Sequence, residues 1–522
     1  MYNHFALVLL TVAFPLWAQL DIAHAATFHV ATTGNDQKGN GSAAKPWASI
    51  GHGIRQMKSG DTLVVRAGEY LGTGQFINTR QNPIPAGTPE SYTTIKAETP
   101  LSVRIRNIGA LKYQDAMVYL STTTQYVHID GFIFDMVDTY SPSMIASIDG
   151  NFNKLTRSIF RRVGNIDEYA GWVLVSGTYN LVEDCAGVGA ARYGFITGGP
   201  ESNAANNIFR RCVARMDYTN SQQPKAAFSV YGNNTTSAVR DMLFQNCVVV
   251  DSHRGPSQRE DNYGGFYFSK NATNVTVQGS IVLNSEVGHA AFFLKEQQGQ
   301  NVKLEHSIAW DVRGHPYFVA LRANGEAGES LILNHLTVGK LAAGFYNKDK
   351  AKQRVLKNSV FSDVGKMAIK DKGWTIETHN AYSPSSLSRG RSAVTSDVKL
   401  KYLTRAEPGS GLYRKADDGQ DIGANITRRY GVSGTLWGDA GYDQLTNEPL
   451  WPWPYEEQIK AVFAQKNNPP AGFVPASNET VRGFTVATDA FGKQMTLTRY
   501  IWQYLGNSIP PEIYGSSKPA GR

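Results

Sequence analysis

The sequence has little cysteine, with three residues in 522, at positions 185, 212 and 247. That excludes a disulfide-built scaffold, which packs many cysteines into a short chain. Beyond position 25 it has no apolar run long enough to span a bilayer, so membrane insertion is not expected. It also lacks blocks of like charge. Lys and Arg total 52 against 44 Asp and Glu, a formal net charge of +8, and the cations are spread along the chain. A nucleic-acid binder gathers them on one patch or tail, so nucleic acid is not an expected partner. A modest, distributed positive excess suits a polyanion met along an extended surface.

What is present begins with a leader. Phe5 to Leu20 is mostly apolar, interrupted by Pro15 and Gln19, and Ala23-His24-Ala25 offers a small-x-small cleavage pattern. Residues 1–25 therefore read as a signal peptide, and the mature protein as secreted or periplasmic.

The body of the chain repeats. Leu181–Ala186, Ile208–Val213, Leu243–Val248, Val277–Ile281, Leu304–Ile308 and Leu356–Val360 look alike. Stacking them puts Gly131, Val163, Cys185, Cys212, Cys247, Ser280, Ser307, Leu336, Ser359 and Ala381 in one column, at spacings of 22 to 35 residues. A second column holds Trp172, Phe195, Phe228, Phe266, Phe292, Phe318, Phe345 and Ile369. Two positions later the residues are again mostly apolar, and residues i and i+2 of a strand share a face. A β-rich unit with this period is a solenoid. The aromatic column lines its interior, and the three cysteines are small buried core residues. A third column, Asp135, Asp167, Asp251, Asn284, Asp311 and Asp363, reads as a ladder of turns, because Asp and Asn bond nearby backbone N–H groups.

These columns resemble the right-handed parallel β-helix of the pectate-lyase-like superfamily. The stretch Phe28–Asp36, then Lys45–Ile50, then Ser59–Tyr70 is similar to that group's usual opening, a capping helix followed by the first coil. The resemblance covers residues 26–425 and implies an all-β fold. It implies no single reaction, because this scaffold carries lyases, hydrolases, epimerases and plain binding proteins. Residues 426–522 leave the pattern. They hold a Pro/Trp stretch, Pro449–Pro454, and two amphipathic helical segments, Glu456–Lys466 and Met495–Leu505. They are expected to cap the last coil with loops and helices.

A closed core leaves function to an outer face. Most coils place 9 to 12 residues between the first and second columns, but Cys212 to Phe228 takes 16 and Cys247 to Phe266 takes 19. Two enlarged loops, near 217–225 and 251–263, therefore adjoin each other, and long loops on a rigid scaffold concentrate function. Three residues before the aromatic column runs a polar row that includes Arg192, Lys225, Tyr263, His289 and His315. In the lyases of this superfamily the cleft borders that strand and the turn before it.

Eliminating across a uronate needs a base within reach of the proton beside the carboxylate and positive charge to stabilise the enediolate. Lys225 or His289 is the expected base and Tyr263 the proton donor. Arg192 and His315, with His253, Arg254 and Arg259 of the second loop, are the expected substrate contacts. Asp251, Glu260 and Asp261 form a candidate calcium site, against the simpler reading of a self-paired charged loop. The aspartate-rich calcium cluster of many pectate lyases is missing, as are the polygalacturonase and alginate-epimerase motifs. The expectation is a monomer that cleaves an acidic polysaccharide by β-elimination. The alternatives are a non-catalytic polysaccharide-binding β-helix, or an epimerase or glycosidase on the same scaffold.

Overall fold

The computed structural model describes residues 25–515 apart from 109–114, 137–143, 163–169, 190–191, 218–224, 233–237, 254–263, 287, 296–300, 314–318, 324–328, 395–397, 466–482 and 491. The expected leader lies outside the described residues.

Each coil gives one strand to each of three parallel sheets in turn. In one central coil these are Ala205–Arg210, Val213–Met216 and Ala226–Tyr231. The strands stack into sheets of 13, 12 and 11, called here the first, second and third. The result is a right-handed parallel β-helix. Helix Ile50–Gln56 closes its N-terminal end. Ser49 caps it by accepting from the His52 N–H, a contact typical of helix starts. Its Ile50 and Ile54 join Trp47 and Met57 in the core. At the other end Leu387 and Ala393 pack against the same core.

Pairing between coils fixes which column points where. Phe195, Phe228, Phe266 and Phe292 follow one another in register. Their rings stack at 5.3, 4.9 and 5.2 Å between centroids, the spacing set by adjacent strands. Each such pair adds about 1 kcal/mol beyond area burial. Three members of that column were misplaced by counting. Val173, not Trp172, pairs with Phe195; Leu321, not Phe318, pairs with Phe292; Ala368, not Ile369, pairs with Phe345.

The cysteine column runs through Ser158, Cys185, Cys212, Cys247, Ser280 and Ser307, one residue before the register pairs from Ile159 to Ile308. Phe132, Ser158 and Asn380 stand where Gly131, Val163 and Ala381 were expected. All three cysteines are buried and unbridged. The residue before this column turns the chain between the first and second sheets with positive φ: Arg157, Asp184, Arg211, Asn246, His306, His335, Asn358 and His379. Asp251, Asn284, Asp311 and Asp363, with Lys340, form a second left-handed row, the expected turn ladder. Asp135 is not part of that row, having no positive φ and pairing with Arg161, and Asp167 lies outside the described residues. An internal ladder, Asn153–Asn180–Asn207, links coils through backbone N–H groups donating to side-chain oxygens at 2.9 Å.

The chain after the last coil covers a flank as well as an end. The second sheet's outward row is apolar: Ile133, Ile159, Ala186, Val213, Val248, Ile281 and Ile308. Trp451, Trp453, Phe463, Phe484, Ile501 and Trp502 of the tail bury it. Leu436, with Trp437 and Tyr442, packs on the first sheet. Both layers are apolar, so their contact removes large apolar area from water. Buried polar contacts fix the seam: Arg215 donates to the Phe463 carbonyl at 2.8 Å, and Tyr504 donates to Asp311 at 2.7 Å. The described tail residues thus pack on the first and second sheets.

Candidate functional site

The third sheet carries the polar row. Tyr193 pairs with Ala226, Ala226 with Gly264, and Gly264 with Ala290. Arg192, Lys225 and His289, each one residue earlier, therefore stand in one line across the sheet. The Lys225 N–H donates to the Arg192 carbonyl at 2.7 Å, and the Gly264 N–H donates to the Lys225 carbonyl at 3.0 Å. All three side chains are half-buried. The Arg192 guanidinium lies 5.4 Å from the Tyr193 ring, and the His289 ring lies 5.2 Å from that of Phe293. Beyond them, Tyr267 and Phe293 contact each other with centroids 5.5 Å apart.

Tyr263 and His315 lie outside the described residues. Both enlarged loops connect the second sheet to the third, after Asp217 and after His253, which bridge each other. His253 is half-buried, donates its N–H to the Met216 carbonyl at 2.9 Å, and holds Nε2 3.8 Å from Glu286. Arg254, Arg259, Glu260 and Asp261 lie outside the described residues.

Asp251 faces the tail. Its carboxylate accepts from Asn284 at 2.7 Å, Tyr500 at 2.8 Å and the Phe484 N–H at 2.9 Å. A side chain at Gly483 would come within 1.8 Å of its Oδ2, and Gly483 holds φ at +60°, so only glycine lets the tail backbone pass here. Burial pushes the Asp251 carboxyl upward, against the pull of those three donors. Both oxygens are engaged in holding the tail. Among the described residues no group of three or more His, Cys, Asp or Glu side chains is placed to hold a metal ion.

A second feature of the third sheet escaped the sequence. Over its N-terminal strands lies a cleft of about 840 Å³, lined by Arg80, Asp115, Tyr119, Asp149, Leu174 and Glu201 among others, within the usual size for a small-ligand site. The Arg80 guanidinium sits 3.9 Å above the Tyr119 ring. Ser147 donates to Asp149 at 3.2 Å, and Tyr119 bonds the same carboxylate. Burial first, then Asp149, raises the Tyr119 phenol, which therefore stays protonated and donates. Arg80, Tyr119 and Asp149 precede the aromatic column, which the sequence starts at Trp172, so no periodic signal gathered them with Glu201. The only available signal was the sequence Tyr119–Leu120 followed one coil later by Ser147–Asp149, with small and polar residues on the outward side.

No family model matches the chain, and no curated protein matches it. Several solved structures are similar to it. A pectate lyase, Pel9A, is 14% identical, over 77% of this chain and 96% of its own, with a TM-score of 0.45. A mannuronic acid specific family 6 polysaccharide lyase from human gut microbiota is 10% identical, over 71% and 91%, with a TM-score of 0.44. A rhamnogalacturonan lyase is 14% identical, over 80% and 97%, with a TM-score of 0.42. No helix among the described residues is long and apolar enough to cross a membrane.

Proposed function

We infer that this protein binds an acidic polysaccharide along the outer face of the third sheet and cleaves it by β-elimination. The observation that carries the reading is the alignment of Arg192, Lys225 and His289 on three of four consecutive coils of the third sheet. A polymer lying across stacked strands meets one coil about every 4.8 Å, so a row of cations matches a row of carboxylates.

In this reading Arg192 neutralises the uronate carboxylate and lowers the cost of the enediolate. Lys225 or His289 removes the proton from the carbon bearing that carboxylate. The electron pair forms the new double bond, the glycosidic bond to the leaving sugar breaks, and Tyr263 returns a proton to the departing oxygen. His253 and the arginines of the second loop contact neighbouring sugars. With Asp251 turned to the tail, neutralisation falls to Arg192 rather than to calcium. We also read the protein as exported, on the apolar leader and its Ala-His-Ala pattern.

The test is ultraviolet absorbance of unsaturated uronate, screened over pectate, alginate, rhamnogalacturonan and glycosaminoglycans. Product from one of these, lost in Lys225→Met or His289→Ala with unchanged melting, supports the reading. Binding without product on every polymer overturns the eliminative step and leaves a carbohydrate-binding β-helix.

A further inference from the structure

The two polar features of the third sheet differ in charge. The row holds Arg192, Lys225 and His289. The cleft holds three carboxylates, Asp115, Asp149 and Glu201, against the single guanidinium of Arg80. A uronate entering the cleft would meet carboxylates that repel it, because like charges at close range are unfavourable. A neutral sugar meets no such barrier. Its hydroxyls can donate to Asp149 and Glu201, and hydrogen bonds to charged acceptors are the strong ones. Its apolar face can lie on the Leu174 side chain and the Tyr119 ring edge, as expected of a site with an apolar floor and a few convergent polar groups.

The spacing joins the features. Strand Gly171–Val175, which carries Leu174, is separated from strand Ala226–Tyr231, which follows Lys225, by Tyr193–Gly198 alone. Two rungs are about 10 Å, so one chain lying along the rod reaches both.

We propose that the Arg80–Tyr119–Asp149 cleft is a subsite for a neutral sugar, and that the substrate is a heteropolysaccharide in which neutral sugars alternate with uronates rather than a polyuronate. The proposal rests on the reading that the third sheet holds a polysaccharide, and it deepens that reading by naming the polymer class. The Tyr119 phenol bonds Asp149 and its ring face is covered by the Arg80 guanidinium, which leaves the ring edge for the sugar. Asp149, oriented by Ser147, is the hydroxyl acceptor.

Binding and cleavage are measured separately on the full chain. Calorimetry compares alternating oligosaccharides (rhamnose–galacturonate, glucose–glucuronate and N-acetylglucosamine–glucuronate) with oligogalacturonate and oligomannuronate of equal length. At least one alternating probe is expected to bind more tightly than both uronate-only probes. Asp149→Asn and Tyr119→Ala are each expected to weaken that probe about tenfold or more, the effect of one hydrogen bond to a charged group, while uronate-only binding does not weaken in either variant and tightens in Asp149→Asn, which removes a repelling carboxylate. Melting curves confirm folding, and Asp149→Asn keeps the shape should Tyr119→Ala unfold. Tighter binding of a uronate-only probe, or an unchanged preference in Asp149→Asn, overturns the proposal. Elimination with no effect of the cleft variants defeats the subsite alone. A cleft-dependent preference without elimination defeats the eliminative step alone.

Discussion

The second and third sheets are built from the same coils, yet their outer faces have opposite fates. On the second, Val213, Val248, Ile281 and Ile308 face outward and the tail buries them under Trp451, Trp453 and Trp502. On the third, Ser147 and Leu174 face outward in the N-terminal coils, and Arg192, Lys225 and His289 edge the central ones. The contrast shows how a solenoid assigns roles. One flank is made apolar on both sides and becomes a second core, and another keeps polar side chains in register for a ligand. Among the described residues of the covered flank, Arg215 lies 3.2 Å from Asp217 and Asp251 has three donors. Unmatched charge there would carry a large desolvation cost.

The sharpest way to break this comparison is Lys225→Met. If the third sheet is the working face, turnover should fall about 10²- to 10⁴-fold, the span of a lost general base, with an unchanged melting temperature. His289→Ala beside it decides which of the two takes the proton, since the base gives the larger loss in kcat. Equal activity in both variants would move the chemistry off this row.

The mirror experiment is on the covered flank. Trp502 is fully buried between tail and sheet, and Trp502→Ala should cost about 3–5 kcal/mol in denaturant unfolding. Binding of polysaccharide at low temperature should persist. Unchanged stability would mean that the tail adds little, and loss of binding with retained fold would mean that the flanks are coupled.

How much of this was legible depended on the local pattern. The aromatic column was readable because Phe195, Phe228, Phe266 and Phe292 recur before similar strands. It failed at Trp172 and Phe318 because Val173 and Leu321 are equally apolar, so hydrophobicity could not separate adjacent registers, and a slip of one or three residues changes what each side chain faces. The tail's route had a signal that went unused. Val248, Val249 and Val250 form a continuous apolar run, which marks a strand buried on both faces, while a one-sided solenoid strand alternates. Asp251 looked like part of a charged loop because its neighbours in sequence are charged. Its partners in space, Phe484 and Tyr500, are more than two hundred residues away. The cleft depends on Arg80, Tyr119, Asp149 and Glu201 from four different coils with no shared motif, so no spacing could have gathered them.

Acid should loosen both covered regions by a smaller amount. Burial drives His128 down to about 4 and His306 down to about 3, the latter with help from His335. His306 sits under the tail, accepting from the Asn425 N–H at 3.4 Å. Below the ordinary value of about 6.5 the unfolded chain takes up protons that the folded chain refuses, so each imidazole removes about 1.4 kcal/mol per pH unit as pH falls. Between pH 6.5 and pH 5 that is about 2 kcal/mol per histidine. Four carboxyls raised by burial, Asp135, Asp184, Asp251 and Glu456, act in the opposite sense, so the histidine contribution is read from variants. Denaturant unfolding at the two pH values checks the sum, and His128→Gln should flatten the slope. An unchanged slope in His128→Gln would contradict the burial of that imidazole.

The smallest expected effect concerns calcium, and it tests where the boundary between the two faces runs. Asp251 lies in sequence at the start of the enlarged loop that feeds the third sheet, but its carboxylate points at the tail and accepts from Asn284, Tyr500 and Phe484. A cation would have to displace these donors, and oxygen ligands already committed to buried N–H and O–H groups are poor ligands for a hard cation that needs six or more oxygens. Elimination, if it depends on Arg192 for neutralisation, should therefore change less than about twofold on chelation, well under the roughly tenfold that 1.4 kcal/mol produces. Asp251→Asn should lower stability while sparing turnover, because the amide keeps one acceptor oxygen where the carboxylate uses two, Oδ1 toward Asn284 and Tyr500 and Oδ2 toward Phe484. A chelator-sensitive activity, restored by calcium and abolished in Asp251→Asn, would instead assign Asp251 to the working face and erase the division between the flanks at this turn.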